Sequence, residues 1–282
     1  ILMQVIHLPH DILDFSLKCR INHQKIGFVP TMGALHQGHY SLVQTARELN
    51  DIVVVSIFVN PLQFNNSSDL TNYPRTLASD LEALERLGVD VVYLPSESDM
   101  YPQKPEVSVG FGNMAKVMEG QFRPGHFDGV GVVVAKLLHQ VFPHRAYFGL
   151  KDLQQYLLIK RMTDDLSFPT EIIGLPIVRE NSGLAMSSRN RRLSKAGFDT
   201  AANIYKGLLK GEESWRSGKS PNETLSSVFD FYKSVNGLDV EYVQIVNPSD
   251  LTDVEDNLSQ SVAICVAGYV EGIRLIDNLY LR

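Results

Sequence analysis

The chain has 282 residues, 44% of them hydrophobic and 21% charged, with 26 lysines and arginines against 32 aspartates and glutamates for a net charge of -6. That balance excludes a disordered, collagen-like or coiled-coil chain and gives no broad basic footprint for nucleic acid, while the length can hold one large domain or two. The two cysteines, Cys19 and Cys265, are too few and too far apart for a zinc quartet or a disulfide framework, and no apolar run reaches the roughly 18 residues of a membrane span.

The amino-terminal ILMQVIHLPHDIL lacks the basic start and cleavable apolar segment of a secretory signal, so the cytoplasm is the expected compartment. IGFVP is a short strand expected to end at Pro30, which has no N–H for a ladder. HYSLVQTARELN places Leu42, Val43, Ala46 and Leu49 on one helical face. IVVVSIFV is continuously apolar and β-branched, as suits a central parallel strand covered on both faces. TLASDLEALERLG is a helix with a glycine stop, and VDVVYLP a further strand. This alternation predicts an α/β fold, a Rossmann-like doubly wound parallel sheet.

PSESDMYPQKPEVSVG reads as a surface excursion ending in a short strand, GNMAKVMEG as a short helix and DGVGVVVAKLLHQVF as a longer, mostly buried one. RAYFG and PTEIIGLPIV are strands on either side of the amphipathic helix KDLQQYLLIKRMTDDL. Near residue 180 the texture turns polar and basic. Two helices follow, KAGFDTAANIYKGLLKGEESWRSG and ETLSSVFDFYKSV, and then strands in VEYVQIVNP and SVAICVAGYVEGIRLIDNLYL. We therefore expect a first domain over 1–176 and a smaller C-terminal α/β domain over 177–282, with a single expanded domain as the alternative.

Five segments carry polar groups in patterns that suit chemistry. In PTMGALHQGHYSL a strand runs into Gly33, and His36 and His39 stand three apart where a helix begins, with Gly38 between them. Imidazole donors and helix N–H groups together can hold phosphate oxygens. A metal site or an incidental polar helix start are the alternatives, although HExxH and a clear third ligand are missing. Neither a P-loop nor a GxGxxG fingerprint is present. FVNPLQF sets the amides of Asn60 and Gln63 among apolar neighbours after the most strand-like run; turn capping accounts for them equally well. EGQFRPGHF places Arg123 and His126 around a Pro-Gly turn, either to meet an anion or as surface and structural residues. YFGLKDLQQ gathers Gly149, Lys151, Asp152 and Gln155 where a strand passes into a helix, although Asp152 also suits a first helical turn. AMSSRN offers the Ser187 and Ser188 hydroxyls and the Arg189 fork, with Arg191 and Arg192 read as solvated charges; no GxSxG elbow marks a serine nucleophile.

Taken in order, PTMGALHQGH, FVNPLQF, YPRTLASD, RPGHFDGV, YFGLKDLQQ and MSSRN closely resemble the pantothenate synthetase (pantoate–β-alanine ligase) family over about residues 26–192. HQGH resembles that family's version of the HIGH motif of nucleotidyltransferases. The resemblance implies ATP-dependent joining of (R)-pantoate to β-alanine through pantoyl adenylate, giving pantothenate, AMP and pyrophosphate. It implies that His36 and His39 contact ATP phosphates beside Gly38, that Lys151 stabilises charge at the α-phosphate, and that Asp152, next to Gly149, binds ribose. Met32, Gln63 and Gln155 would shape the pantoate site, with Asn60 and Arg123 as secondary members. Ser187, Ser188 and Arg189 would close on the phosphates as part of a C-terminal lid. Mg2+ accompanies ATP with no protein ligand nominated, and a homodimer without nucleic-acid or membrane partners is expected.

Overall fold

The computed structural model describes residues 3–64, 70–256 and 261–281. Among them, six parallel strands form one sheet in the order β1–β4–β3–β2–β5–β6, where β1 is Gln4–Ile6, β2 Ile26–Thr31, β3 Ile52–Ile57, β4 Val91–Tyr93, β5 Arg145–Gly149 and β6 Glu171–Leu175. The helices Gln37–Leu49 and Leu77–Arg86 follow β2 and β3, and His126–Val141 precedes β5, giving the α/β alternation of a doubly wound sheet. β3 is buried from Val53 to Ile57, as its unbroken apolar run requires. Val29, Leu35, Leu42, Val43, Ala46, Val53, Val55 and Val92 share one core cluster, so Leu42, Val43 and Ala46 of the expected stripe lie on the sheet, whereas Leu49 is exposed.

β2 runs one residue past Pro30, contrary to the expected stop. The alternation of parallel pairing turns the Pro30 nitrogen toward β5, and pairing to β5 ends at Phe28. The missing N–H therefore breaks no ladder bond. The region 106–111 holds no strand, although one was expected there. The excursion instead contains a four-residue helix, Glu97–Met100, whose Ser96 and Asp99 form a capping box, and Val107 is 78% exposed. GNMAKVMEG divides into a 3-10 turn, Gly112–Ala115, and the helix Met118–Phe122.

The chain divides by its internal contacts into two compact units, Ile1–Leu150 with Leu158–Pro176, and Lys151–Leu157 with Ile177–Arg282. The segment Lys151–Leu157 groups with the second unit, whereas the sequence reading placed it in the first domain. The second unit contains an antiparallel sheet β7–β8–β9, with β7 Leu238–Val246, β8 Val262–Val270 and β9 Ile273–Leu281. The helices Asn203–Arg216 and Pro221–Lys233 contribute Ile204, Leu208, Trp215, Val228 and Tyr232 to a core shared with Val243, Ile245, Ile264 and Val266 of that sheet. The single helix expected after residue 195 is two, Lys195–Ala201 and Asn203–Arg216. Asn203 Nδ2 donates to the Asp199 and Thr200 carbonyls, taking acceptors that the continuing ladder would use. Among the described residues no helix is long and apolar enough to cross a membrane.

Candidate active site

In the parallel sheet the strand order reverses between β2 and β5, the place where open α/β sheets leave a crevice at their carboxyl ends. β2 leaves the sheet through Met32 and two consecutive left-handed residues, Gly33 at φ 80° and Ala34 at φ 50°. A non-glycine residue at such φ needs outside support. Asp80 supplies it: its carboxylate, 3% exposed, accepts the Ala34 and Leu35 N–H groups at 2.9 Å each and the Thr76 hydroxyl at 3.1 and 3.2 Å. In the sequence Asp80 is only an acid in the first turn of the helix Leu77–Arg86. Its grip on a loop 46 residues earlier carries no local signal.

That loop delivers His36 as N-cap of the helix Gln37–Leu49. The Gly38 N–H donates to His36 Nδ1 at 3.2 Å, and the His36 N–H donates to His39 Nδ1 at 3.4 Å. The two rings lie 4.1 Å apart between centroids. Because both Nδ1 atoms accept, each neutral imidazole carries its proton on Nε2. The pair thus combines two tautomerically fixed rings with a helix N-terminus, an arrangement suited to an anion. A Cβ on Gly38 would lie 2.9 Å from His36 Cε1 and 3.0 Å from its Nδ1, so this glycine makes room for the capping ring itself.

The second cluster of the first unit surrounds the 3-10 turn Pro61–Gln63. Asn60 is 1% exposed and its amide is fully engaged. Nδ2 donates to Gln63 Oε1 at 3.1 Å and to the Gly129 carbonyl at 3.2 Å, while Oδ1 accepts the Tyr101 hydroxyl at 2.8 Å and the Leu62 N–H at 3.3 Å. Gln63 is thereby held with its oxygen toward Asn60 and its Nε2 toward Met32 Sδ, 3.0 Å away. The Gln63 carbonyl accepts from His126 Nδ1 at 2.8 Å and from Arg123 Nη2 at 3.5 Å, and Arg123 Nη1 lies 3.9 Å from Glu119. Asn60, Arg123 and His126 therefore touch the Gln63 turn itself, an arrangement that positions Gln63. Burial and the nearby Glu97 raise the Tyr101 hydroxyl above its ordinary value, which keeps it protonated as the donor to Asn60.

The remaining expected residues follow β5 or belong to the second unit. Gly149 ends β5, and the 3-10 turn Leu150–Asp152 leads into the helix Leu153–Asp165. Lys151 Nζ lies 3.6 Å from Asp152 Oδ1, with Asp152 exposed and Lys151 and Gln155 half-buried. Ser187 caps the 3-10 turn Ser188–Arg192 by accepting the Arg189 N–H at 3.3 Å, and Asn190 Nδ2 closes the turn onto the Ala185 carbonyl at 3.0 Å. Ser188 is 8% exposed, Arg189 half-buried, and Arg191 and Arg192 exposed. The structure thus gathers Met32, Asn60, Gln63 and Arg123 into one cluster and His36, Gly38 and His39 into another within the first unit. Lys151, Asp152, Gln155, Ser187, Ser188 and Arg189 belong to the second.

Sequence reasoning missed one more set. Arg179 pairs bidentately with Asp277 on β9, at 2.6 and 3.0 Å, and its guanidinium carbon stands 3.8 Å from the Tyr205 ring centroid. Burial raises the Asp277 carboxyl above its ordinary value, against the pull of the paired guanidinium. Asn278 Nδ2 donates to the Lys151 carbonyl at 2.9 Å.

Among the described residues no three His, Cys, Asp or Glu side chains gather as a metal site. The donor set therefore does not fit a protein cage for Mg2+, an ion that typically keeps waters and binds through substrate phosphates.

The family profile of pantoate-beta-alanine ligases matches residues 4–280. The pantothenate synthetase of Cytophaga hutchinsonii is 45% identical over 271 residues, covering 95% of each chain. The crystal structure of pantothenate synthetase from Thermus thermophilus aligns with a TM-score of 0.92 at 41% identity, covering 98% of this chain and 99% of that one. The pantoate-beta-alanine ligase from Francisella tularensis, complexed with beta-gamma ATP and beta-alanine, aligns with a TM-score of 0.83 at 38% identity over 98% and 97% of the two chains.

Proposed function

The chain belongs to the pantoate–β-alanine ligase family, and from that membership we propose that it joins (R)-pantoate to β-alanine through a pantoyl adenylate, releasing AMP and pyrophosphate. A pantoate carboxylate oxygen attacks the α-phosphorus of ATP, the α–β bridge breaks and pyrophosphate leaves. The β-alanine amine then attacks the activated acyl carbon, a C–N bond forms, AMP departs with the bonding pair and the amine loses a proton. The protein's task is to hold charges and orient reactants, with water kept from the adenylate.

The observation that carries the reading is the reciprocal cap of His36 and His39, which sets two Nε2–H donors at a helix N-terminus at the end of β2. These donors meet the phosphates. Gln63, whose oxygen is taken by Asn60, offers its Nε2–H to a pantoate oxygen beside Met32, and Gln155 hydrogen-bonds the same substrate. Lys151 offsets charge on the α-phosphate and the leaving pyrophosphate, and Asp152 accepts ribose hydroxyls. In Ser187 the oxygen already accepts from Arg189 N–H, so its own O–H remains the group to donate to phosphate, alongside Ser188 and the Arg189 fork. On this reading the first unit supplies the two histidines and the Gln63 turn for ATP and pantoate, and the second supplies Lys151, Asp152 and Gln155 together with the MSSRN segment. A cytoplasmic homodimer belongs to the same proposal, and size measurement at several concentrations tests the dimer.

Folded protein supplied with Mg2+, ATP and pantoate is expected to form pantoyl adenylate and pyrophosphate, and added β-alanine to release pantothenate and AMP, all read by mass spectrometry. His36→Ala and Lys151→Ala should each lose roughly 10²–10³ in turnover while remaining folded. A parent protein that yields neither adenylate nor pantothenate would sink the reading. A stable adenylate indifferent to β-alanine would place the chemistry with simple nucleotidyl transfer instead.

A further inference from the structure

The dipeptide Asp277–Asn278 on β9 lies far in sequence from every segment that resembles a ligase motif, yet Asn278 holds one of them and Asp277 holds the reversal that leads into another. Asn278, 3% exposed, donates its Nδ2–H to the main-chain carbonyl of Lys151 at 2.9 Å. Asp277, also 3% exposed, grips Arg179 through both carboxylate oxygens. The same guanidinium donates to the Gly183 carbonyl at 3.1 Å and to the Asn278 carbonyl at 3.3 Å. Arg179 in turn begins a tight reversal. It forms a bridge with Ala185, Glu180 N–H donates to the Leu184 carbonyl at 2.8 Å, and Met186 N–H donates to the Val178 carbonyl at 3.0 Å. Tyr205 packs on this reversal from the other side, under the guanidinium and 2.6 Å from where a Gly183 Cβ would lie. The chain leaves the reversal directly into Ser187, Ser188 and Arg189.

We propose that Asp277 and Asn278 are positioning residues that fix the Lys151 turn and the Ser187–Arg189 turn to one strand, and so to each other. The inference rests on the ligase reading for its catalytic meaning, but the network itself lies wholly within the second unit. Fork geometry explains why the partner is Arg179: a planar guanidinium can satisfy both carboxylate oxygens and two carbonyls at once, which a lysine ammonium cannot do in one plane. The carboxamide at 278 is required as a donor, because a carbonyl oxygen can only accept. A displacement of about 1 Å in either turn is enough to slow a reaction that depends on held geometry by roughly a hundredfold.

The test compares Asn278→Ala and Asp277→Asn with Glu241→Gln in the full chain. Glu241 makes an ion pair with Arg274 in the same sheet, at 2.5 and 2.9 Å, with Glu241 half-buried where Asp277 is buried. It is the control for loss of an ion pair in this sheet that touches neither turn. Asn278→Ala and Asp277→Asn should lower kcat about tenfold or more with the KM for β-alanine within about twofold of the parent, a loss that Glu241→Gln does not share at equal loss of thermal stability. Amide hydrogen exchange supplies a readout that does not depend on the reaction. It should accelerate around residues 150–153 in Asn278→Ala and around 178–190 in Asp277→Asn, ahead of the rest of the second unit. If Asp277→Asn does not fold, Arg179→Lys keeps the charge, removes the fork and is held to the same outcome. Unchanged exchange in both segments, or kcat losses that only track thermal stability as in Glu241→Gln, would overturn the proposal. A parent with no ligase activity would defeat the reading of function, and the exchange pattern would still decide the positioning role.

Discussion

Gly38 shows how one missing side chain serves a neighbouring one. Alanine is the better helix former by about 0.8–1.0 kcal/mol, and Gly38 lies in the first turn of the helix Gln37–Leu49 at an ordinary negative φ. Its Cβ, however, would sit 2.9 Å from His36 Cε1 and displace the ring that caps the helix. Gly38→Ala should therefore leave the thermal midpoint nearly unchanged while turnover falls by tenfold or more, roughly the scale of a misplaced polar contact; steady-state kinetics beside thermal unfolding separate the two effects, and full activity would show that the His36 ring has no fixed place in the reaction. Asp80 calls for the opposite readout. Asp80→Asn keeps one acceptor oxygen but turns an NH2 toward the Ala34 or Leu35 N–H, leaving a buried donor unmet at a cost of about 1–3 kcal/mol. A thermal midpoint several degrees lower is expected, and an unchanged one would show that the loop holds its left-handed residues without that carboxylate. The histidines were legible because their spacing is local. Asp80 was not, because its role depends on the sheet bringing β2 beside β3 and on the helix that follows β3.

At the scale of elements, periodicity served where an element is covered on a regular face, as in β3 and the helix Gln37–Leu49. It offered nothing for β1, a three-residue edge strand with Gln4 and Val5 exposed, which only pairing with β4 identifies. Nor did it show the division at Ala202, beside which Asn203 Nδ2 donates to the Asp199 and Thr200 carbonyls. His144 is a further case. It stands just before β5, its Nδ1 accepts the Ile26 N–H at 2.9 Å, and its backbone joins Ile26 on β2 to Glu171 on β6. Desolvation, then Arg20, Lys25 and Arg145, lower its pKa below the ordinary 6.5, with Asp51 opposing. The unfolded chain therefore takes up this proton at higher pH than the folded one. Stability from His144 is whole above about pH 6.5 and is lost as the pH falls through the lower folded value. His144→Asn keeps an acceptor near the Nδ1 position and does not titrate. Urea unfolding at pH 7.5 and 5.5 should show the parent losing more stability on acidification than this variant; equal losses would remove His144 from the account.

For the whole molecule, the domain boundary and the distribution of the candidate site residues prove to be one question. The change of texture near residue 180 is visible in sequence because polar and basic residues replace core residues there. Nothing local marks Lys151–Leu157 as part of the second unit, since that segment opens an amphipathic helix whose remainder, from Leu158, belongs to the first. One contact that ties it there comes from distant β9, where Asn278 donates to the Lys151 carbonyl. The second unit is thus built from two stretches of chain, and a cut at Pro176–Ile177 would not divide the protein along its units. A protease site inserted at the exposed Pro176 should give two fragments that still elute together under native conditions, because the amino-terminal fragment carries Lys151–Leu157 into the second unit's fold. Adding Asn278→Ala to the nicked protein removes one anchor of that segment, so the fragments should part at a lower denaturant concentration, a shift that corresponds to a loss of about 1 kcal/mol for one buried hydrogen bond. Fragments that separate without denaturant would show that the second unit folds from 177–282 alone and that Lys151–Leu157 is held by the first unit.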